Sequence, residues 1–204
     1  MTPSPAPTAT PVSADLLGAT LLVLARGAIA EALGRPTGAA PPLGRSTPRL
    51  AEPGAAFVTL TEGGELRGCI GSLAPRRALA DDVVANARAA AFDDPRFPPL
   101  ARDELDRIRV EVSVLSPLEP LPVVSEADAL AKIRPGVDGL VLEWGRHRGT
   151  FLPQVWDDLP DPRAFLAHLK RKAGLPPDFW ADDLRLSRYH VEKWSEPEAG
   201  PKAP

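Results

Sequence analysis

Proline sets the strongest limit on what this chain can fold into. The 204 residues include 25 prolines, about twice the usual share, and proline breaks both helix interiors and central strands. Collagen, coiled coils and long helical rods are therefore excluded. Hydrophobic residues make up 44% of the chain and charged residues 25%. This composition is sufficient for the core of one large domain or two small ones.

Charge and cysteine content narrow the classes of function. A net charge of -3 argues against nucleic acid as the main partner, because phosphate binding needs a basic surface. No apolar run is long enough to predict a membrane span, and no signal peptide is indicated. The single cysteine, Cys69, excludes an intrachain disulfide and favours a cytoplasmic location. The spacing of His147, His168 and His190 predicts no metal site.

Three regions are distinguished along the chain. Residues 1–12 form a Pro/Thr/Ala segment that we predict to be disordered, and residues 196–204 are predicted to be a flexible tail. Residues 13–195 are predicted to form the folded domain, interrupted by a Pro/Gly-rich loop at residues 35–54.

Local patterns predict an α+β fold with an antiparallel or mixed sheet and flanking helices. Ser13 is predicted to cap a first helix that ends near Leu33. Strands at 56–61 and 65–71 flank Gly63–Gly64, the turn expected of a β-hairpin. Further helices are predicted at 78–91, at 125–133 and from Pro162 to the residues before Gly174, the last with Asp161 as its N-cap. Further strands are predicted at 108–114, 137–144, 150–152 and 184–191.

The hexapeptide Leu66–Gly71, which reads LRGCIG, is the most informative stretch. Two glycines within a strand allow a ligand or another backbone to approach closely. On a regular strand Arg67 and Cys69 share a face, and the charge of Arg67 favours the nucleophilic thiolate. Leu66 and Ile70 then face the core. The structural alternative is that Cys69 is a small buried hydrophobe and the glycines serve a bulge.

Three further positions are candidates for ligand contacts. The rigid turn at residues 93–100 offers Arg96 to a carboxylate or phosphate, or it is a structural clamp in which Arg96 satisfies a carboxylate or carbonyl groups. Asn86 points to the same ligand position as Arg96, or it is an exposed helix residue. Gln154 offers an amide to a ligand, or it ties two loops together.

The hexapeptide Leu66–Gly71 resembles the signature of the AMMECR-one domain family. Further segments resemble that family in sequence and order, and the resemblance covers roughly residues 16–194. These segments are Asp94–Phe97 with Pro99–Leu100, Glu111–Pro117, Gly136–Leu140, Leu152–Val155 and Lys172–Gly174. The resemblance implies an α+β fold of two unequal lobes with the hexapeptide near a cleft.

The resemblance also implies protein A of the AmmeMemoRadiSam system, with a Memo-like protein and a radical S-adenosylmethionine enzyme as partners. It brings no settled reaction, and no intrinsic cofactor motif is present. Carried over by position, Cys69 and Arg67 become catalytic candidates. The ligand-binding candidates are Gly68, Gly71, Asn86, Asp94, Arg96 and Gln154.

Three functions follow from these candidates. The favoured function is a component of a modification pathway that acts on a substrate at a Cys69/Arg67 cleft site. The alternative is a non-catalytic adaptor that binds a protein or peptide through the hexapeptide surface. RNA binding through scattered arginines is the weaker alternative.

Overall fold

A computed structural model describes residues 11–35 and 48–197 of the chain. The predicted tails and the proline-rich loop fall largely on residues 1–10, 36–47 and 198–204, which lie outside the described residues. The helices are α1 (Pro11–Ala32), α2 (Leu79–Phe92), α3 (Glu126–Lys132) and α4 (Pro162–Lys172), with 3-10 helices at Pro48–Leu50 and Pro153–Asp157. The strands are β1 (Pro53–Gly54), β2 (Ala56–Glu62), β3 (Glu65–Gly71), β4 (Arg77–Ala78), β5 (Ile108–Leu115), β6 (Glu119–Leu121), β7 (Gly139–Trp144), β8 (His147–Phe151), β9 (Arg185–Tyr189) and β10 (Val191–Ser195).

The described residues divide into two compact units, one that runs up to Val114 and takes in Lys193 onward, and the other Leu115–Glu192. A four-stranded sheet with the order β10-β5-β2-β3 lies mainly in the first unit. Alternate residues of β2 and β5 are buried in one core with α1 and α2, as the period-two pattern of β5 predicts. This core includes Leu17, Leu21, Val58, Leu60, Val83, Val110 and Val112.

The hairpin of β2 and β3 forms around the predicted glycine turn. Gly63 and Gly64 both have positive φ, 60° and 89°, which a two-residue turn of this kind requires. Glu62 pairs with Glu65 and Thr61 with Leu66, but Leu60 then pairs with Gly68. Arg67 is therefore an extra residue in β3, and the strand contains a β-bulge at this point.

The second unit contains a four-stranded sheet in the order β6-β9-β7-β8. Its core includes Leu140 and Leu142 of β7 and Phe165 and Leu169 of α4. The predicted cap of α4 is confirmed, because the backbone N–H of Ala164 donates to the Asp161 carboxylate at 2.9 Å. Gly174 follows the helix with φ 81°, in the left-handed conformation that ends a helix.

The α+β class is confirmed, and the resolved strand pairs are antiparallel. Several boundaries differ from prediction. Helix α1 begins at Pro11, so Ser13 lies within the helix and is not its cap. Strand β8 begins at His147, because Gly145 with φ 54° permits a shorter turn than predicted. Strands β6 and β10 were not predicted, since short edge strands with mixed polarity give little periodicity.

Candidate functional site

The bulge at Arg67 determines where the side chain of Cys69 lies. A regular two-residue hairpin that starts from the Glu62–Glu65 pair would place Cys69 opposite Val58. Cys69 would then lie on the face that packs against the helices. The extra residue shifts the register by one, so Cys69 lies opposite Thr59. Thr59 is on the opposite face of β2 from the buried Val58 and Leu60. Cys69 therefore lies on the face turned away from α1 and α2, and it is half-buried.

Thr59 contacts the sulfur atom directly. Its hydroxyl donates a hydrogen bond to Cys69 Sγ, with an Oγ1–Sγ distance of 3.3 Å. The contact places a hydrogen-bond donor at the sulfur. Sequence reasoning did not single out Thr59, because its proximity to Cys69 depends on the shifted register.

The backbone of Cys69 is held by the turn that follows α2. The Cys69 N–H donates to Asp94 Oδ2 at 2.9 Å, and Arg96 Nη2 donates to the Cys69 carbonyl oxygen at 3.2 Å. Because β3 is at the edge of its sheet, these two side chains occupy the backbone groups that a further strand would bind. These contacts match the structural alternative for this turn, which is a clamp in which Arg96 satisfies a carboxylate and a carbonyl.

Asp94 and Arg96 form a fork-shaped ion pair. Arg96 Nη2 and Nε lie 2.7 Å and 2.9 Å from the two carboxylate oxygens of Asp94. The hydrogen bonds from Arg96 hold the pKa of the buried Asp94 well below its ordinary value, with burial opposing and the Cys69 N–H adding to the effect. The aspartate is therefore charged at neutral pH.

Arg96 is the guanidinium that contacts Cys69, through the backbone carbonyl oxygen. Its pKa is raised mainly by the hydrogen bond to Asp94, and the Cys69 side chain adds smaller contributions of the same sign. The Arg96 side chain is 53% exposed. Within the described part of the chain, its Nη1 makes no hydrogen bond. Arg96 can therefore accept an anionic group from solution without losing its contact with Asp94.

Arg67 has a different partner. Its Nε and Nη2 lie 2.7 Å and 3.1 Å from the two carboxylate oxygens of Glu104, and only 12% and 16% of the two side chains are exposed. The hydrogen bond to Glu104 raises the pKa of Arg67, and the reverse interaction lowers the pKa of Glu104. Arg67 Nη1 is buried and has no hydrogen-bond partner among the described residues. The charge of Arg67 is thus balanced by Glu104, which sequence reasoning did not identify.

The two glycines of the hexapeptide are explained by close packing. A Cβ atom at Gly68 would lie 2.1 Å from the carbonyl oxygen of Ala90 on α2, and one at Gly71 would lie 2.2 Å from the ring of Phe57. Protein atoms therefore occupy the space where either side chain would stand. The expectation that Leu66 faces the core is wrong, because Leu66 pairs with Thr61 ahead of the bulge and is 42% exposed.

Asn86 belongs to a buried polar network at the start of β2. Its Nδ2 donates to the Ala56 carbonyl oxygen at 2.9 Å and to Asp82 Oδ2 at 2.9 Å. The same carboxylate accepts from the Ala56 N–H at 3.0 Å and, through Oδ1, from the Ser72 hydroxyl at 2.8 Å. Only 5% of Asn86 is exposed, so the alternative of an exposed helix residue is wrong. The network joins α2 to the ends of β2 and β3.

Gln154 lies in the second unit. It is in the 3-10 helix Pro153–Asp157 and is exposed to solvent. Its predicted contact with a ligand amide or carbonyl stays a prediction.

Within residues 11–35 and 48–197, no group of three or more His, Cys, Asp or Glu side chains has an arrangement suited to a metal ion. No helix in the same ranges is long and apolar enough to cross a membrane.

The chain combines an α+β fold with a cysteine between two glycines in an edge strand, Gly68 and Gly71. The AMMECR1 family model matches residues 22–194, and the chain therefore belongs to this family, as the hexapeptide implied. A protein of Methanothermobacter thermautotrophicus is 49% identical over 142 residues, covering 69% of this chain and 74% of that protein. A Thermococcus onnurineus protein is 42% identical over 193 residues, covering 89% and 91% of the two chains.

A solved structure agrees with the fold. The crystal structure of the uncharacterised protein PH0010 from Pyrococcus horikoshii matches with a TM-score of 0.71 and 39% sequence identity. The match covers 92% of this chain and 94% of that chain.

Proposed function

We propose that the first unit carries a thiol-dependent site in which Cys69 is the nucleophile or group carrier and Arg96 binds an anionic group of the substrate. The observation that carries this proposal is the arrangement around Cys69. Its sulfur accepts a hydrogen bond from Thr59, and its carbonyl oxygen accepts one from the half-exposed Arg96. A partly exposed thiol with a guanidinium beside its backbone is a setting in which reactive cysteines are found.

The proposal changes the role expected of Arg67. A guanidinium activates a thiol when its charge is not already neutralised, and Arg67 is paired in a fork with Glu104. Arg96 is also paired, but it retains an exposed nitrogen and lies against Cys69. We therefore assign the support of the thiolate to Arg96 and a structural role to Arg67.

The residues available limit the reaction. All three histidines, His147, His168 and His190, belong to residues 115–192, so the first unit has no imidazole to act as a base or acid. A suitable step is attack by the Cys69 thiolate on a thioester carbon or a disulfide sulfur. A bond to Cys69 Sγ forms, and the leaving thiolate departs with the electron pair of the broken bond. Such a leaving group needs no proton from the site.

In this proposal the protein is one component of a cytoplasmic modification pathway. The Memo-like protein and the radical S-adenosylmethionine enzyme remain partners implied by the family resemblance. A component that carries a group on a thiol needs other proteins to supply and remove that group, which fits a multi-protein system.

Two alkylating reagents that differ in charge test the role of Arg96. Iodoacetate is anionic and iodoacetamide is neutral, so Arg96 should favour iodoacetate through its charge. We expect Arg96→Gln to lower the ratio of the iodoacetate rate to the iodoacetamide rate by about threefold. Arg88→Gln is the matched control, because Arg88 is an exposed partner of Glu31. An unchanged ratio in Arg96→Gln would contradict the assignment.

Leu66 favours the adaptor as a second candidate. It is an apolar side chain, 42% exposed, on the same sheet face as Thr61. An adaptor requires this surface but not the sulfur, so Cys69→Ser should retain partner binding and Leu66→Asp should lose it. An enzyme requires the sulfur, so Cys69→Ser should lose activity and Leu66→Asp should retain it. Gly68 is unsuited to this comparison, because substitution there disturbs the packing against α2.

A further inference from the structure

Thr59 lies in the middle of a row of polar side chains that crosses the sheet of the first unit. It pairs with Cys69 on β3 and with Glu111 on β5. Residues directly opposite one another in adjacent strands share a face and lie close enough to interact. The carboxylate of Glu111 in turn binds Lys193 at 3.1 Å and the hydroxyl of Ser195 at 2.8 Å.

The hydroxyl of Thr59 has one hydrogen-bond acceptor among the described residues, and it is the sulfur of Cys69. A threonine side chain is stiff about χ1, and the Thr59 backbone is paired on both sides by β3 and β5. The donor is therefore held in place before a reaction begins. Valine has nearly the same shape, so packing alone does not require a hydroxyl at this position.

We propose that Thr59 is a positioning residue that supplies the fixed hydrogen bond to the Cys69 thiolate and so sets its reactivity. The inference rests on the proposed function of Cys69. When the thiol proton leaves to solvent, the Thr59 O–H remains directed at the sulfur and replaces a hydrogen bond from water. The site then needs no base of its own to maintain a reactive thiolate.

The charged groups around Thr59 and Cys69 affect a negative charge on the sulfur in opposite directions. Arg96 supports a negative charge on the sulfur, and its partner Asp94 reduces that effect. Glu111, on the far side of Thr59, opposes a negative charge, but Lys193 partly offsets it. Because these charges largely balance, the hydrogen bond from the neutral Thr59 hydroxyl has a measurable effect on the reactivity of Cys69.

The test measures the iodoacetamide rate of Cys69 as a function of pH in wild type, Thr59→Val and Thr59→Ser. We expect Thr59→Val to react about tenfold more slowly at neutral pH, with its pH–rate profile displaced to higher pH. Thr59→Ser restores the hydroxyl and should react within about twofold of wild type. Urea unfolding midpoints of the three proteins check that the fold is retained.

The outcomes separate this inference from the proposed function. A Thr59→Val profile that coincides with wild type, or an equal loss in Thr59→Ser, would overturn the role of Thr59. A wild-type rate no faster than that of the unfolded chain would contradict the proposed function instead. In that case the difference between wild type and Thr59→Val still measures what the hydroxyl contributes to the thiol.

Discussion

The carbonyl oxygen of Ala90 occupies the space beside Gly68, so that a Cβ atom at position 68 would lie only 2.1 Å away. This close approach brings β3 against α2 and thereby fixes the strand that carries Cys69. Glycine at position 68 is required by packing, whatever the chemistry of its neighbour.

Gly68→Ala should destabilise the protein. Overpacking against a backbone atom, which cannot rotate away, should lower the free energy of unfolding by about 3 kcal/mol. Urea unfolding monitored by tryptophan fluorescence measures this change. Gly64→Ala is the comparison, because its cost of about 1 kcal/mol comes from the positive φ alone and no atom lies within 4 Å. Equal losses in the two variants would contradict the packing argument.

Removing one partner of the Arg67–Glu104 pair should also destabilise the protein. Arg67→Met leaves the Glu104 carboxylate largely buried without its cation, at a cost of about 2 kcal/mol. The double variant Arg67→Met with Glu104→Leu should recover most of this loss, because two apolar side chains replace the pair. Its Cys69 alkylation rate should match wild type. A rate as low as that of Arg96→Gln would return the thiol-supporting role to Arg67.

Acid should destabilise the protein through two carboxyl groups. Arg96 lowers the pKa of Asp94 below its ordinary 3.8, and Arg67 lowers the pKa of Glu104 below its ordinary 4.5. Groups with depressed pKa values contribute stability above their unfolded pKa and lose it as the pH falls through the folded value. The free energy of unfolding should therefore decline below about pH 4.

Asp94→Asn isolates one contribution to that decline. The variant should be less stable at neutral pH, and its stability should fall less steeply as the pH is lowered from neutral into the acid range. Thermal unfolding of both proteins at a series of pH values provides the comparison. Parallel curves would show that Asp94 has no part in the acid dependence.

Asn86→Ala should affect stability and leave the thiol unchanged. It removes the donor to the Ala56 carbonyl oxygen and a partner of Asp82, which should cost about 2 kcal/mol. The alkylation rate of Cys69 should stay within about twofold of wild type, since the network acts on the strand ends and not on the sulfur. A large fall in the rate of the folded variant would restore Asn86 to the candidate site.

Local signals in the sequence predicted much of the fold. The hairpin was predicted because Gly63–Gly64 specifies its turn, and the cap of α4 because Asp161 precedes Pro162. Both depend on residues adjacent in sequence. The bulge at Arg67 is different, since turn chemistry alone would have placed Cys69 opposite Val58.

The site was predicted less completely than the fold. Cys69, Asp94 and Arg96 were named, and the structure brings them into contact. Thr59 and Glu104 were missed because one depends on the shifted register and the other on tertiary packing between β3 and a turn distant in sequence. The alternative of an exposed helix residue for Asn86 is wrong because the face on which a helical amide lies is decided by the elements that pack on it.

The central claim is that the surroundings of Cys69 make its thiol reactive. The most direct measurement compares the rate of alkylation of Cys69 by iodoacetamide at neutral pH in the folded protein and in the urea-unfolded chain. We expect the folded protein to react about tenfold faster, because Thr59 and Arg96 favour the thiolate. A folded protein that reacts at the rate of the unfolded chain, or more slowly, would contradict the claim.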